Sequence, residues 1–159
     1  FTVLAEARDA ACHTRVRRMT TVGGSVGPLI GGFDMPVSLL TLNARVVTAT
    51  VAGQKTWPLA EAFDKRFAKD EMLIAVEIDA LPARSGSAFH KFLPRGVMET
   101  PTANAGAVVT LDAAGKCVAA WLVVGAVSWK PLVADLSSLA GKTFDEAAIR
   151  AAVKPLRDM

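Results

Sequence analysis

The sequence lacks tyrosine, has only two cysteines, and holds no apolar run that reaches the roughly 18 residues of a membrane-spanning helix. Cys12 and Cys117 lie far apart and no CxxC pair exists, so the chain alone offers no ligand set for zinc or an iron–sulfur cluster. The G-x-S-x-G and H-E-x-x-H motifs are also absent, and His13 and His90 read as ordinary surface or hydrogen-bonded residues. We therefore expect no metal site, no membrane span and no catalytic residue on this chain.

The sequence also lacks a large excess of either charge. The 18 basic and 15 acidic residues leave a net charge of +3, and the only basic cluster, Arg15 with Arg17 and Arg18, is too short to favour a nucleic-acid partner. The chain has 159 residues, of which 52% are hydrophobic, so it can bury a core in one ordinary domain or two small ones. Unpaired cysteines fit a reducing compartment, and we expect a cytoplasmic protein.

Glycine, in contrast, is concentrated in one place. Residues 19–36, MTTVGGSVGPLIGGFDMP, contain five glycines, although glycine loses the most backbone freedom on folding. One explanation is a ligand: successive backbone N–H groups of Gly23, Gly24 and Ser25, together with the Thr21 hydroxyl, can form a concave anion site. The other is a pair of tight turns between regular elements. The residues themselves leave the two explanations equally open.

Asp34, at the far end of this stretch, also has two interpretations. It is either a carboxylate that caps a turn, which these residues favour, or an acceptor for a sugar hydroxyl. The glycine pattern is neither the Rossmann G-x-G-x-x-G nor a Walker loop, because no Lys-Ser/Thr follows the glycines. A stand-alone binder of nucleotide phosphates is one function that the stretch permits.

Hydrophobic spacing and turn residues predict an alternation of helices and strands. The predicted helices are residues 2–12, the first half of 36–51, 56–67, 130–141 and 143–156. The predicted strands are the second half of 36–51, 71–81, 87–94, 104–112 and 116–127. Thr143 and Glu146 stand in a capping box at the start of the last helix. Residues 82–87, rich in Pro, Gly and Ser, predict a boundary between domains 1–83 and 84–159.

Four blocks of the sequence stand in an order that is typical of one protein family. The first is VRRMTTVGGSV with FDMPVSLLTLNARVV, and the second is WPLAEAFDKRFAKDEMLIAVEIDALP. SAFHKFLPR and LVVGAVSWKPLVADLSSLAGK follow. These blocks resemble the T-I-G-G-N loop, the D-M-P-A segment and later stretches of the FAD-binding (medium) subunit of molybdenum hydroxylases, the family of xanthine dehydrogenase and carbon monoxide dehydrogenase. The resemblance covers essentially all 159 residues.

The resemblance implies an α+β fold. It implies the C-terminal half of a two-lobed FAD-binding domain over residues 1–83. A small α+β domain over residues 84–159 follows, with a three-stranded antiparallel sheet and helices on one face. The family also has an earlier glycine-rich loop that wraps the FAD diphosphate, and residues 1–18 do not resemble it. We therefore expect the chain to begin in the middle of that domain, and a further segment or chain to supply the first loop.

The resemblance also implies which residues contact FAD. The TVGGS loop (Thr21–Ser25) matches the loop that binds the diphosphate, although the family usually has Asn where Ser25 stands. Asp34 matches an acidic residue near the adenosine side, Leu73 an apolar side chain against the isoalloxazine ring, and Lys91 a lysine near the flavin edge. A cation there would favour anionic reduced flavin by Coulomb attraction. The implied cofactor-binding residues are Thr21, Val22, Gly23, Gly24, Ser25, Asp34, Leu73 and Lys91.

In this family the flavin subunit does no chemistry on the substrate. The resemblance implies an electron-transfer subunit of an oxidoreductase, which passes electrons from [2Fe–2S] clusters on a small partner subunit through FAD to an acceptor. A large partner subunit carries the molybdopterin cofactor. The alternative function is a flavin-free module of the same fold that docks partner subunits. Neither the oxidised substrate nor the final acceptor is readable here, because the substrate pocket would lie on another subunit.

Overall fold

The computed structural model of the protein describes residues 1–96 and 99–158, which form helices and two antiparallel sheets. The α-helices of this part are Thr2–Ala10 (α1), Thr14–Met19 (α2), Val22–Val26 (α3), Asp34–Thr41 (α4), Leu59–Lys65 (α5) and Glu146–Val153 (α6), with 3₁₀ helices at Ser137–Leu139 and Lys154–Asp158. The strands are Arg45–Thr50 (β1), Gly53–Pro58 (β2), Met72–Glu77 (β3), Ser85–Phe92 (β4), Ala103–Leu111 (β5), Cys117–Gly125 (β6) and Leu132–Asp135 (β7).

Most neighbouring strands are consecutive along the chain, and the exception is β3, which pairs with β1 after β2 and α5. The first sheet has the order β2-β1-β3 and the second the order β4-β5-β6-β7, with every neighbouring pair antiparallel. Strands β1 and β2 pair up to Thr50 and Gly53, so two residues connect them. Between β5 and β6 the Asp112 N–H donates to the Lys116 carbonyl at 2.9 Å, and Gly115 adopts the positive φ of +78° that this turn requires.

Helix α4 lies at the centre of the fold. Its residues, DMPVSLLT, are almost all buried, and it packs against α1, β5 and β6. Pro36 is tolerated because it lies in the first turn, where backbone N–H groups have no acceptor within the helix. The close approach to β5 depends on Gly106, since a Cβ there would lie 2.2 Å from the Thr41 hydroxyl oxygen. An almost completely buried helix therefore begins two residues after Gly32.

The main buried cluster extends across both sheets. It includes Val46 of β1 together with Val108 of β5 and Val123 of β6. A smaller cluster around Cys117 and Leu139 lies under α6. The division of the chain into two domains at residue 83 stays a prediction, and the main cluster contains residues from both sides of it.

The implied α+β fold class is confirmed, with one change in the second sheet. The helix predicted over residues 130–141 was wrong: Leu132–Asp135 is strand β7, which pairs with Trp121–Val124 of β6. The predicted helix was bounded by Pro131 and Gly141, but such residues mark the ends of strands as well as of helices. Backbone hydrogen bonds to the free edge of β6 stabilise the strand instead. The second sheet therefore has four strands rather than the three expected.

Two smaller predictions were also wrong. Strand β2 was missed because its sequence, GQKTWP, is exposed along most of its length and shows no apolar alternation. The last helix is capped by Asp145 and not by Thr143, since the Asp145 carboxylate accepts a hydrogen bond from the Ala148 N–H at 2.8 Å.

Neither a membrane helix nor a metal cluster occurs in the part of the chain that the structure describes. No helix there is both long and apolar enough to span a bilayer. No group of three or more His, Cys, Asp or Glu side chains there is placed to hold a metal ion. Cys12 is exposed, whereas Cys117 is buried and burial raises the pKa of its thiol.

Candidate functional site

The TVGGS loop folds as the start of a short helix. Thr21 is the N-cap of α3, and its Oγ1 accepts a hydrogen bond from the Gly24 N–H at 2.9 Å. Ser25 closes the turn, because its N–H and its hydroxyl each donate to the Thr21 carbonyl at 3.0 Å. Threonine is a preferred residue at this position because its oxygen satisfies such an N–H group. The loop is therefore a helical turn with an exposed amino end.

The exposed amino end leaves backbone donors free. In residues 1–96 and 99–158, the N–H groups of Val22 and Gly23 have no protein acceptor, as is usual in the first turn of a helix. A Cβ added to Gly23 would meet none of the described atoms within 4 Å, whereas one on Gly24 would lie 3.1 Å from Thr21 Oγ1. Packing thus explains Gly24 but not Gly23. Gly23 is the position at which bare backbone is open to a ligand.

The second glycine pair of this stretch has a packing reason. A Cβ on Gly31 would lie 2.9 Å from both the Lys130 Cα and the Trp129 carbonyl oxygen, and one on Gly32 would lie 3.3 Å from the Ala126 Cβ. The Ala126 N–H also donates to the Gly31 carbonyl at 3.2 Å. The connection between α3 and α4 therefore lies directly on the loop between β6 and β7. Close packing accounts for this glycine pair, while Gly23 keeps the ligand explanation open.

Asp34, Lys91 and Asn104 form a buried polar cluster between α4, β4 and β5. Lys91 Nζ lies 2.7 Å from Asp34 Oδ2, and each of the two side chains is only 7% exposed. Asn104 Nδ2 donates to Asp34 Oδ1 at 2.8 Å and to the Gly32 carbonyl at 3.1 Å. Lys91 also donates to the Ala10 carbonyl at the end of α1, at 3.2 Å. The cluster thus fastens two helices and two strands to one another.

This contact revises the interpretation of Asp34 and Lys91. The family resemblance implies that Asp34 lies near the adenosine side of FAD and Lys91 near the flavin edge. In the structure the two side chains contact each other, and their contacts with FAD stay predictions. Asp34 neutralises the Lys91 charge, so the attraction expected of an isolated cation for reduced flavin is weakened. Both Asp34 oxygens already accept hydrogen bonds, and a sugar hydroxyl would have only their remaining lone pairs to bind.

Asn104 was not predicted as part of the site. Its Oδ1 is buried and has no hydrogen-bond partner among the described residues. That oxygen faces Gly125, where a Cβ would come to 2.3 Å, so the glycine makes room for the amide. The available signal was an Asn in a strand whose other residues are mostly apolar. A buried amide in such a strand usually has a specific partner, which here is Asp34.

Leu73 is half-buried on β3, opposite Thr48 of β1, and packs against the main core. Two residues before it, the Glu71 side chain is only 4% exposed and forms an ion pair with Lys55 at 2.9 Å. Glu71 also accepts hydrogen bonds from the Thr48 hydroxyl and from the Ala68 N–H, the latter at 3.0 Å. These donors, the Thr48 hydroxyl foremost, lower the Glu71 pKa to about 2. The contact of Leu73 with an isoalloxazine ring stays a prediction.

Glu71 gives a prediction for the pH dependence of stability. Its pKa is about 2 in the folded chain against an ordinary 4.5, so the stabilisation due to its charge is complete above pH 4.5 and is lost as the pH falls towards 2. We expect the free energy of unfolding to fall more steeply across this window in the wild type than in Glu71→Gln, as measured by urea denaturation. The other carboxylates titrate in both proteins, so parallel curves would contradict the assignment.

Comparisons with known proteins point to the family that the sequence resembles. The family model described as "FAD binding domain in molybdopterin dehydrogenase" matches residues 1–80. The chain is similar to the alpha subunit of the 6-hydroxypseudooxynicotine dehydrogenase complex of Paenarthrobacter nicotinovorans, at 32% identity over 126 residues, or 77% of this chain and 42% of that protein. It is also similar to the carbon monoxide dehydrogenase medium chain of Afipia carboxidovorans, at 30% identity over 145 residues, or 87% of this chain and 50% of that protein.

A solved structure has the same fold. A chain of carbon monoxide dehydrogenase from Hydrogenophaga pseudoflava, in a form that lacks the Mo-pyranopterin moiety of the molybdenum cofactor, matches with a TM-score of 0.85 at 25% identity. The match covers 94% of this chain and 54% of that one, so this chain spans about half the length of the relatives it matches. The resemblance noted in the sequence is confirmed, and the chain belongs to the family of FAD binding domains in molybdopterin dehydrogenases.

Proposed function

We propose that the chain is part of the FAD-binding electron-transfer subunit of a multi-subunit molybdenum hydroxylase that acts in the cytoplasm. The observation that carries the proposal is the open backbone at Gly23, which lies inside the stretch matched by the FAD-binding family model. A glycine in an exposed helical turn costs stability, because it loses more backbone freedom than alanine would. Close approach of a ligand to the backbone would explain why position 23 has a glycine despite that cost.

The amino end of α3 suits the diphosphate of FAD. Adjacent N–H groups of Val22 and Gly23 have no acceptor among the described residues, and the positive end of a helix dipole adds to their attraction for an anion. The Thr21 hydroxyl oxygen accepts from Gly24, and its proton remains to be donated. Ser25 contributes less, since its hydroxyl already donates to the Thr21 carbonyl. In this proposal Thr21, Val22 and Gly23 contact the diphosphate, while Gly24 and Ser25 shape the turn.

The remaining candidate residues have supporting roles. Leu73 offers an apolar surface for the isoalloxazine ring. The buried Asp34–Lys91 pair holds the amino end of α4 in place beside β4. When bound, FAD supplies the redox chemistry, relaying electrons from [2Fe–2S] clusters on a small partner subunit to an acceptor. A large partner subunit carries molybdopterin, and no residue of this chain acts on the substrate.

A second function is favoured by a different observation. Several large apolar side chains are exposed, among them Met72 on the edge strand β3 at 68% and Trp129 in the loop between β6 and β7 at 64%. A flavin-free module that docks partner subunits would need such surfaces and no cofactor. The same surfaces fit the first proposal, in which a further segment supplies the first FAD-binding loop, because this chain spans about half the length of its relatives.

The flavin content of the assembled complex separates the two functions. We expect the chain, purified with its co-purifying polypeptides, to show visible flavin absorption and stoichiometric FAD. We also expect a large molybdopterin-binding chain and a small [2Fe–2S] chain in the same complex. The chain expressed alone is the control and should retain less FAD, because part of the site is missing. A complex that contains both partners but releases no FAD on denaturation would contradict the flavin function and support the docking module.

A further inference from the structure

The connection between α3 and α4, residues 27–33, is the one segment that joins the TVGGS loop to Asp34. It contains no regular element, so its position depends on contacts with the rest of the fold. Leu29 is buried and adopts a φ of +51°, a conformation that is unfavourable for a residue with a branched side chain. Such strain persists only where surrounding contacts hold the backbone in place.

Arg66, at the end of α5, provides the contacts that hold this connection. Its Nη1 donates to the Leu29 carbonyl and its Nη2 to the Pro28 carbonyl, both at 3.1 Å. Arg66 itself adopts a φ of +60°, while its N–H still donates to the Ala62 carbonyl at the end of the helix. A guanidinium presents two parallel N–H groups in a rigid fork, so it can bind two successive carbonyls where an ammonium holds them less well.

The contact continues into α3. The Leu29 N–H donates to the carbonyl of Val26, the last residue of α3, at 2.9 Å. Leu29 is therefore hydrogen-bonded to α3 on one side and to Arg66 on the other. An ion pair between Lys130 and Asp64 joins the neighbouring β6–β7 loop to the same end of α5. Helix α5 thus reaches the glycine-rich stretch both directly and through the loop on which that stretch packs.

We propose that Arg66 is a positioning residue for the diphosphate site, a role that rests on the proposed function of the TVGGS loop. By holding the carbonyls of Pro28 and Leu29, Arg66 sets the direction in which α3 leaves the fold. That direction fixes where the free N–H groups of Val22 and Gly23 point. In this role the residue acts through the backbone carbonyls that it binds. Its effect on FAD therefore depends on how firmly the backbone of residues 22–33 is held in one conformation.

Two measurements on Arg66→Ala, Arg66→Lys and the matched control Lys65→Ala test this role. Lys65 is adjacent, carries the same charge, and forms an exposed ion pair with Glu61 within α5. In hydrogen–deuterium exchange of the chain, we expect faster exchange across residues 22–33 in Arg66→Ala, an intermediate rate in Arg66→Lys, and no change in the control. In the FAD-loaded complex, we expect Arg66→Ala to release FAD about fivefold faster than the wild type and Lys65→Ala to release it at the wild-type rate.

The outcomes distinguish failure of the positioning role from failure of the proposed function. Unchanged exchange across residues 22–33 in Arg66→Ala would overturn the positioning role, whether or not the complex holds FAD. A wild-type FAD release rate in Arg66→Lys together with a raised rate in Lys65→Ala would also overturn it, because charge alone would then be responsible. Faster local exchange in a complex that never contains FAD would leave Arg66 as the residue that orders the stretch and would refute the flavin function itself.

Discussion

Replacing Asp34 with asparagine is expected to lower the free energy of unfolding by about 3–5 kcal/mol, the usual cost of breaking a buried ion pair from one side. The change leaves the Lys91 ammonium in a site where the wild-type side chain is only 7% exposed, without the carboxylate that lies 2.7 Å from it. Asn104 loses a charged acceptor at the same time. Urea denaturation near neutral pH, followed by circular dichroism, measures the loss.

Two further variants show whether burial is the cause. Lys65→Ala removes an ion pair of α5 whose side chains are 67% and 45% exposed, and we expect it to cost under about 1 kcal/mol. The double variant Asp34→Asn/Lys91→Met removes both charges, so it should recover much of the loss, because an uncharged methionine can remain in an apolar site. A loss in Asp34→Asn no larger than in Lys65→Ala would show that the Asp34–Lys91 pair does not stabilise the fold.

The same experiment bears on the role of Asp34 in cofactor binding. A carboxylate whose main role is to accept a sugar hydroxyl would affect FAD retention and leave the stability of the flavin-free chain unchanged. A carboxylate that holds α4 in place would affect stability first, with FAD retention following from it. The two hydrogen bonds from Lys91 and Asn104 lead us to expect the second pattern.

Local sequence signals were sufficient to predict those elements whose own residues favour the structure they adopt. The division of residues 36–51 into a helix and a strand correctly predicted α4 and β1, and the strands predicted over residues 104–112 and 116–127 correspond to β5 and β6. Strand β7 escaped prediction because its stability comes from the edge of β6, which is a partner and not a property of residues 132–135. Strand β2 escaped because an exposed, polar strand has no hydrophobic period to detect.

The candidate site shows the same division. The glycine pair at residues 23 and 24 was recognisable from composition and from its resemblance to a family, because the whole loop is contiguous. The pairing of Asp34 with Lys91 joins residues 57 positions apart, and Arg66 reaches Leu29 across 37 positions. Neither spacing produces a pattern in a single sequence. The sequence therefore offered no sign that Asp34 and Lys91 contact each other, and it assigned Arg66 no role.

Gly23→Ala is expected to separate folding from flavin binding. The added methyl group meets no described atom within 4 Å and the residue lies in a helical turn, so stability should stay the same or rise by up to about 1 kcal/mol. Retention of FAD should nevertheless fall about tenfold or more, because a methyl group would hold the diphosphate away from backbone donors whose charge-assisted hydrogen bonds are each worth about 1.5–3 kcal/mol. Gly23→Val should have a larger effect on FAD than Gly23→Ala.

Gly86→Ala is the matched control, because Gly86 on β4 is likewise exposed, has no positive φ, and has open space where a Cβ would be. FAD per complex after gel filtration gives retention, and urea denaturation gives stability. A loss of FAD in Gly23→Ala at wild-type stability, with none in Gly86→Ala, would have no explanation in the packing of the chain and would require a ligand against the Gly23 backbone. Equal FAD content in the two variants would mean that the diphosphate lies elsewhere. The presence of glycine at position 23, which packing does not require, would then need another explanation.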